Sequence, residues 1–251
     1  METVLVVGAT GNIGTSAVTA ALNSKRQVLA VVRNQKSGEK LLKNLGTSEG
    51  VTLVEADVVS DTGIRGVVEQ ARAGKLPVFQ HVFTCGKLFL LLLLPTYWVT
   101  VGADYIPVAL QDITTAQLRD NMSRAFESNF FAYRDTIGYL LEQGKPATYT
   151  ICTGAQGDLG LFPLPAMTQG PLFSMAAAAS RENAETNVRF NEIYLAMRVE
   201  VDEDAKQHGV TSASEFAAVY EAIMSRSEIR SSRVRVSTDA DLKDLKYERK
   251  F

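Results

Sequence analysis

Apolar residues in the first third of the chain fall into short continuous runs separated by longer amphipathic stretches. Residues 3–7, TVLVV, are β-branched and apolar and stop at a glycine. Residues 13–22 carry apolar side chains at helical spacing, with no breaker beyond Gly14 at the start. The alternation repeats as a strand at 27–32, a polar-faced helix at 36–45 and a strand at 51–54. A helix at 61–73, with Asp61 as its expected N-cap, and a strand at 77–84 follow. Apolar runs without period-two alternation mark strands buried on both faces. Helical intervals between them imply βαβ crossovers and a parallel sheet. Because such crossovers are right-handed, the expected architecture is a doubly wound α/β sheet.

The second half continues this pattern. One or two helices are expected over 114–141, a strand at 147–152 and an alanine-rich helix at 172–184. A strand at 188–195, a helix at 214–225 and a short strand at 233–236 follow. Residues 239–251 are highly charged and read as a surface tail. With no internal repeat and no Pro-, Gly- or Ser-rich linker, residues 1–251 are expected to form one domain.

Residues 87–101, KLFLLLLLPTYWVTV, break the pattern. The stretch is too short for a bilayer and Pro95 interrupts it. A buried strand is one reading. A second explains more: without residues 87–102 the flanks join as an ordinary strand, glycine turn and helix. Gly86-Lys87 is encodable by a splice-donor sequence, the leucines by a pyrimidine tract, and Val101-Gly102 by an acceptor boundary. Residues 87–102 therefore read as a foreign insert, translated intron in the gene model.

Bulk properties narrow the function. A formal net charge of −2 gives no reason to expect nucleic acid or an anionic membrane as partner. The two cysteines, Cys85 and Cys152, sit in apolar runs as buried free thiols do. This suits a reducing compartment, and with no secretory signal at the start the expected location is the cytoplasm.

The stretch Gly8-Ala9-Thr10-Gly11-Asn12-Ile13-Gly14 follows a strand and opens a helix. Gly8 allows a tight turn, Gly11 allows close approach of a pyrophosphate, and Gly14 allows helix–strand contact. The helix start points its N–H groups and positive dipole end at the phosphates. In this context the turn identifies a Rossmann-type dinucleotide site. At the end of the second strand, where an acidic residue would accept a ribose 2′-hydroxyl, stands Arg33, with Asn34 and Lys36 nearby. A guanidinium suits a 2′-phosphate, so NADP(H) is expected over NAD(H). The competing reading makes Arg33 and Lys36 solvated charges at a helix start. Asp57 after the third strand either meets adenine's amine or caps a turn.

The chain resembles the short-chain dehydrogenase/reductase family over most of its length. GATGNIG and VVRN are closest to its atypical and NmrA-like branches, and EADV matches its adenine-side Asp-Val, implying roles for Asp57 and Val58. Phe83-Thr84-Cys85-Gly86 occupies the family's Asn-Asn-Ala-Gly turn, with identity only at Gly86, so Thr84 and Gly86 are carried over as cofactor contacts. The stretch FESNFFAYRD resembles the helix bearing the family's proton-relay asparagine, which makes Asn129 the carried-over active-site position. Thr153 stands where the family has its catalytic serine, and Val188-Arg189-Phe190-Asn191 resembles its Ile-Arg-Val-Asn strand.

The departures concern the reactive half. Counting back from Val188 puts the family's tyrosine near Pro165 and its lysine near Gln169, and FPLPAMTQGPLFSM contains neither type. Nor does EIYLAM carry the family's Pro-Gly turn. Tyr105, Tyr133, Tyr149 and Tyr194 are alternative acids by residue type only, with Tyr133 on the helix face of Asn129 or simply in the core. His81 and His208 have no neighbours suggesting a triad or a metal site. The alanines 176–179 serve close packing, on the sheet or across a homo-oligomer face. The expected function is an NADP(H)-dependent oxidoreductase of divergent mechanism acting on a small carbonyl, enone or alcohol. The alternative is a non-redox protein, a nucleotide-sensing regulator or a biosynthetic enzyme, that keeps the cofactor site.

Overall fold

The computed structural model describes residues 1–85 and 105–251. Gly86 and the expected insert at 87–102 lie outside the described residues. The first half runs β1 (Thr3–Val7), α1 (Asn12–Asn23), β2 (Gln27–Val32), α2 (Gln35–Leu45), β3 (Val51–Glu55), α3 (Gly63–Arg72) and β4 (His81–Cys85). There follow α4 (Thr115–Met122), a π-helical turn (Ser123–Glu127), α5 (Ser128–Glu142), β5 (Ala147–Gly154), α6 (Gln156–Leu159), α7 (Pro163–Glu182) and β6 (Val188–Leu195). The chain closes with β7 (Val199–Glu200), α8 (Asp202–His208), β8 (Thr211–Ser212), α9 (Ala213–Ser225), β9 (Ser232–Val236), α10 (Asp239–Lys243) and β10 (Lys246–Arg249).

Eight strands form one sheet in the order β10-β9-β6-β5-β4-β1-β2-β3, parallel throughout except for the antiparallel β10–β9 pair. Alternate residues of each central strand enter opposite cores. Val4 and Val6 of β1 join Phe83 and Ile193 against α1 and α9. Leu5 and Val7 join Val82, Tyr149 and Ile151 against α3, α5 and α7. This two-sided burial is why the strands read as unbroken apolar runs.

Several boundaries differ from expectation for local reasons. The third helix begins at Gly63 with Thr62 at the N-cap position, not Asp61, and without a side-chain cap. Gly63 is seated so tightly on the Asp57 carbonyl that a Cβ would lie 1.9 Å from its oxygen. The fourth strand begins at His81, not at 77, because its neighbours first pair at Val4 and Thr148, opposite His81. Helix α7 begins at Pro163, nine residues before its expected start, and continues through Pro171. Pro163 fills a first-turn position that needs no donor. Leu164, Pro165, Thr168, Gln169, Leu172 and Ala176 are buried at helical spacing, which outweighs the bond lost at Pro171.

The expected tail at 239–251 is instead folded. Asp241 accepts hydrogen bonds from the Ser237 and Thr238 N–H groups at 2.9 Å each, closing a capping box on α10. Beyond it, β10 pairs with β9 from Lys246 opposite Arg235 to Arg249 opposite Ser232. Its four residues are exposed and three are charged, as suits a sheet edge protected from pairing with other chains.

Candidate functional site

Strand order reverses at β1, whose chain continues to β2 on one side while β4 pairs on the other. A crevice outside the carboxyl ends of the strands is expected at such a switch point, and the glycine turn sits there. Gly8 has φ +82°, and a Cβ on it would lie 1.9 Å from the Cys85 carbonyl oxygen. A Cβ on Gly14 would lie 2.1 Å from the Gly8 oxygen and 2.8 Å from Ala9. Both glycines are therefore required by the fold itself. Gly11 is different: its φ is −81°, and a Cβ there would meet nothing nearer than the Gly8 oxygen at 3.6 Å. As the N-cap of α1 it supplies no side-chain acceptor to the N–H groups of the first turn. An open cradle with unclaimed donors at the positive end of a helix fits a dinucleotide phosphate. Thr10, Asn12 and Ile13 complete this turn, Ile13 being buried and Thr10 and Asn12 half-buried.

Arg33, Asn34 and Lys36 follow β2 on the exposed rim. Asn34 caps α2, accepting from the Ser37 N–H and hydroxyl at 2.9 Å each. Asp57 is exposed after β3 and accepts from the Val59 N–H at 3.2 Å, so it caps its own turn. Val58 beside it is half-buried. Thr84 is fully buried in β4, opposite Val7 of β1.

On the reactive side, Asn129 is buried one turn beyond the π-helical stretch, and its amide donates to the Ala125 carbonyl at 2.7 Å. That carbonyl lies within the π turn, a feature often found at functional positions. Thr153 is fully buried at the end of β5. Its hydroxyl donates to the Glu192 carboxylate at 2.8 Å. Pro165 and Gln169 are both buried on α7, and Gln169 accepts the Gly154 N–H at 2.7 Å through its side-chain oxygen. Sequence reasoning named Gln169 only as the place of an absent lysine and missed Glu192, because only the fold brings them beside Gly154 and Thr153.

The other candidates separate by location. Tyr149 is fully buried and stacked on Phe190 at 5.3 Å, and burial pushes its phenol far up. Tyr133 donates to Glu182 and accepts from Asn183 at the far end of α7, again raised by burial. Tyr105 meets the ring of Phe162, at the start of α7, edge-on at 5.2 Å. Tyr194 lies opposite Thr153 in the β5–β6 register and donates to Asp158 at 2.8 Å. His81 is held between Thr148 and Glu2 at the amino ends of the strands, and burial lowers its pKa. His208 pairs with Glu200 beside the small β7–β8 sheet. Among the described residues no group of three metal-ligating side chains gathers, and no helix is long and apolar enough to cross a membrane.

Fold and turn together define a doubly wound α/β protein with a dinucleotide site. A family model for the NmrA-like family matches residues 1–79. The chain is 48% identical over 254 residues to a short-chain dehydrogenase/reductase, iacG, of Pestalotiopsis fici, covering 99% of this chain and 96% of that one. Two solved structures share the fold. A short-chain type dehydrogenase/reductase from Mycobacterium marinum has TM-score 0.74 at 14% identity, covering 94% of this chain and 93% of that one. ElxO, solved with NADP bound, has TM-score 0.68 at 10% identity, covering 86% and 88%. The chain belongs to the short-chain dehydrogenase/reductase family.

Proposed function

We propose that this chain binds NADP(H) and works as an oxidoreductase on a small carbonyl, enone or alcohol, without the tyrosine–lysine pair. The observation that carries the reading is Gly11. The fold does not require a glycine there, yet the space before it is open and the adjacent helix start has no side-chain cap. The first-turn N–H groups, with Thr10, Asn12 and Ile13 shaping the turn between Gly8 and Gly14, hold the phosphates. Asp57 and Val58 border the adenine. Arg33 and Lys36, which make no hydrogen bond or ion pair within the described residues, take the 2′-phosphate, and Asn34 fixes the helix start beside them. Thr84, in β4, is assigned to the nicotinamide side, as is Gly86 by the family resemblance alone.

A bound nicotinamide supplies or accepts the hydride. The chain orients it. Asn129, whose amide donates to the Ala125 carbonyl of the π turn, is the position assigned to the relay. Thr153 differs from a substrate donor, because its hydroxyl is already engaged in donating to Glu192. Its role is to support the floor of the reactive half, and the proton for chemistry comes from water or substrate. Pro165 and Gln169 favour the second reading, a non-redox protein that retains the nucleotide as sensor or scaffold, since neither side chain can exchange a proton near neutral pH.

A fluorescence titration with NADPH, beside NADPH absorbance followed with a panel of carbonyl substrates, separates the two. Binding with turnover supports the oxidoreductase. Binding without turnover on any member moves the assignment to the second reading, and absence of binding rejects both.

A further inference from the structure

Glu192 is a carboxylate on β6 with 1% of its side chain exposed. Removing such a charge from water is costly unless hydrogen-bonded cations replace the water. Two cations and one hydroxyl do so. Thr153 donates to Oε1 at 2.8 Å. Arg233 of β9 donates from Nε to Oε2 at 2.8 Å and from Nη2 to Oε1 at 3.0 Å. Lys250, which follows β10, donates from Nζ to Oε2 at 3.1 Å. Arg233 is itself held between two rings, Phe173 of α7 at 4.8 Å and Tyr194 of β6 at 5.1 Å. Next to Lys250, the ring of Phe251 packs under the Arg181 guanidinium of α7 at 4.2 Å.

From this geometry we infer that the β9–β10 edge is a clasp on the reactive half of the site, with Arg233 and Lys250 acting through Glu192 as positioning residues for Thr153. The buried carboxylate is tolerable on β6 only while both cations are docked. The Thr153 hydroxyl then has a fixed acceptor, and the end of β5 is held to β6. The adenine half is independent of this chain of contacts, because the glycine turn and Arg33 follow β1 and β2 on the other side of β4. The link from Thr153 to catalysis rests on the oxidoreductase reading, whereas the clasp itself does not.

The test compares wild type, Lys250→Met and Lys250→Arg by hydrogen–deuterium exchange without ligand. Lys250→Met should speed amide exchange at least tenfold across 150–157 and 188–195 and leave 3–32 within twofold of wild type. Lys250→Arg, which keeps a donor cation, should restore slow exchange. Equal acceleration across 3–32 would mean general destabilisation and overturn the proposal, as would unchanged exchange at 150–157. With NADPH added, Lys250→Met should keep its affinity within twofold while the emission of the bound nicotinamide changes, and identical emission would detach Thr153 from the nicotinamide. Should wild type fail to bind NADPH, the oxidoreductase reading falls while the exchange result still decides the clasp.

Discussion

Replacing Gly11 by valine tests the nucleotide site apart from the fold, because the turn's glycines differ in what a side chain would strike. At Gly8 a Cβ would overlap a backbone oxygen at 1.9 Å and the residue holds a positive φ. The left-handed conformation alone costs about 1–2 kcal/mol, and a backbone shift to relieve the overlap adds about 1–3 kcal/mol. Gly8→Ala should therefore lower stability by roughly 2–5 kcal/mol, a large part of a domain's total. Gly11 has an ordinary φ and 3.6 Å of clearance. Losing glycine at an N-cap costs up to about 1 kcal/mol, and the stiffer unfolded chain returns about 0.4–1 kcal/mol, so Gly11→Val should fold with nearly unchanged stability. Its branched side chain fills the open cradle and separates the phosphates from the helix N–H groups. Losing two charge-assisted hydrogen bonds at about 1.5 kcal/mol each weakens NADPH binding about a hundredfold. Urea unfolding reads the first effect and NADPH fluorescence titration the second. A folded Gly11→Val protein with wild-type affinity would refute the site.

Three further outcomes are expected. Arg33→Asp should weaken NADPH by about 1.5–3 kcal/mol, a tenfold to hundredfold loss, and leave NADH equal or tighter; equal titrations before and after would make Arg33 a surface charge. The carboxyl of Asp241 is held down to about 2, first by the Ser237 N–H and also by Lys246 and Thr238. Since its folded pKa lies below the ordinary value, its contribution is complete above pH about 4 and drains away as pH falls toward 2. Asp241→Asn should flatten that part of the acid-unfolding curve, and an unchanged curve would mean that α10 is not docked as described. Finally, cDNA across codons 86–103 should lack residues 87–102, and a spliced message that retains them would make the leucine run native.

Local chemistry made much of the molecule legible in advance. The runs VLVV of β1 and VLAVV of β2 announce a parallel sheet because consecutive residues must be apolar when helices cover both faces. The turn from Gly8 to Gly14 is legible because its constraints lie within seven residues: a positive φ, an open helix start and a close helix–strand approach. That residues 162–175 contain neither tyrosine nor lysine is likewise visible in the sequence.

What only the tertiary structure decided depends on distant partners. Gly8 reads as a turn glycine, yet the fold makes it obligatory twice over, because the Cys85 carbonyl of β4 lies where its Cβ would stand. The charged stretch at 239–251 resembles a solvated tail until β9 offers a free edge, where alternating backbone bonds matter more than side-chain polarity. Thr153 looks like a substrate donor until Glu192, 39 positions away, accepts its hydrogen bond. Glu192 in turn is buried where Arg233 of β9 and Lys250, just past β10, arrive from later in the chain. A sequence carries its own periodicity and turn chemistry in plain order, but hydrogen-bond and charge partners are fixed by which strands the fold sets side by side.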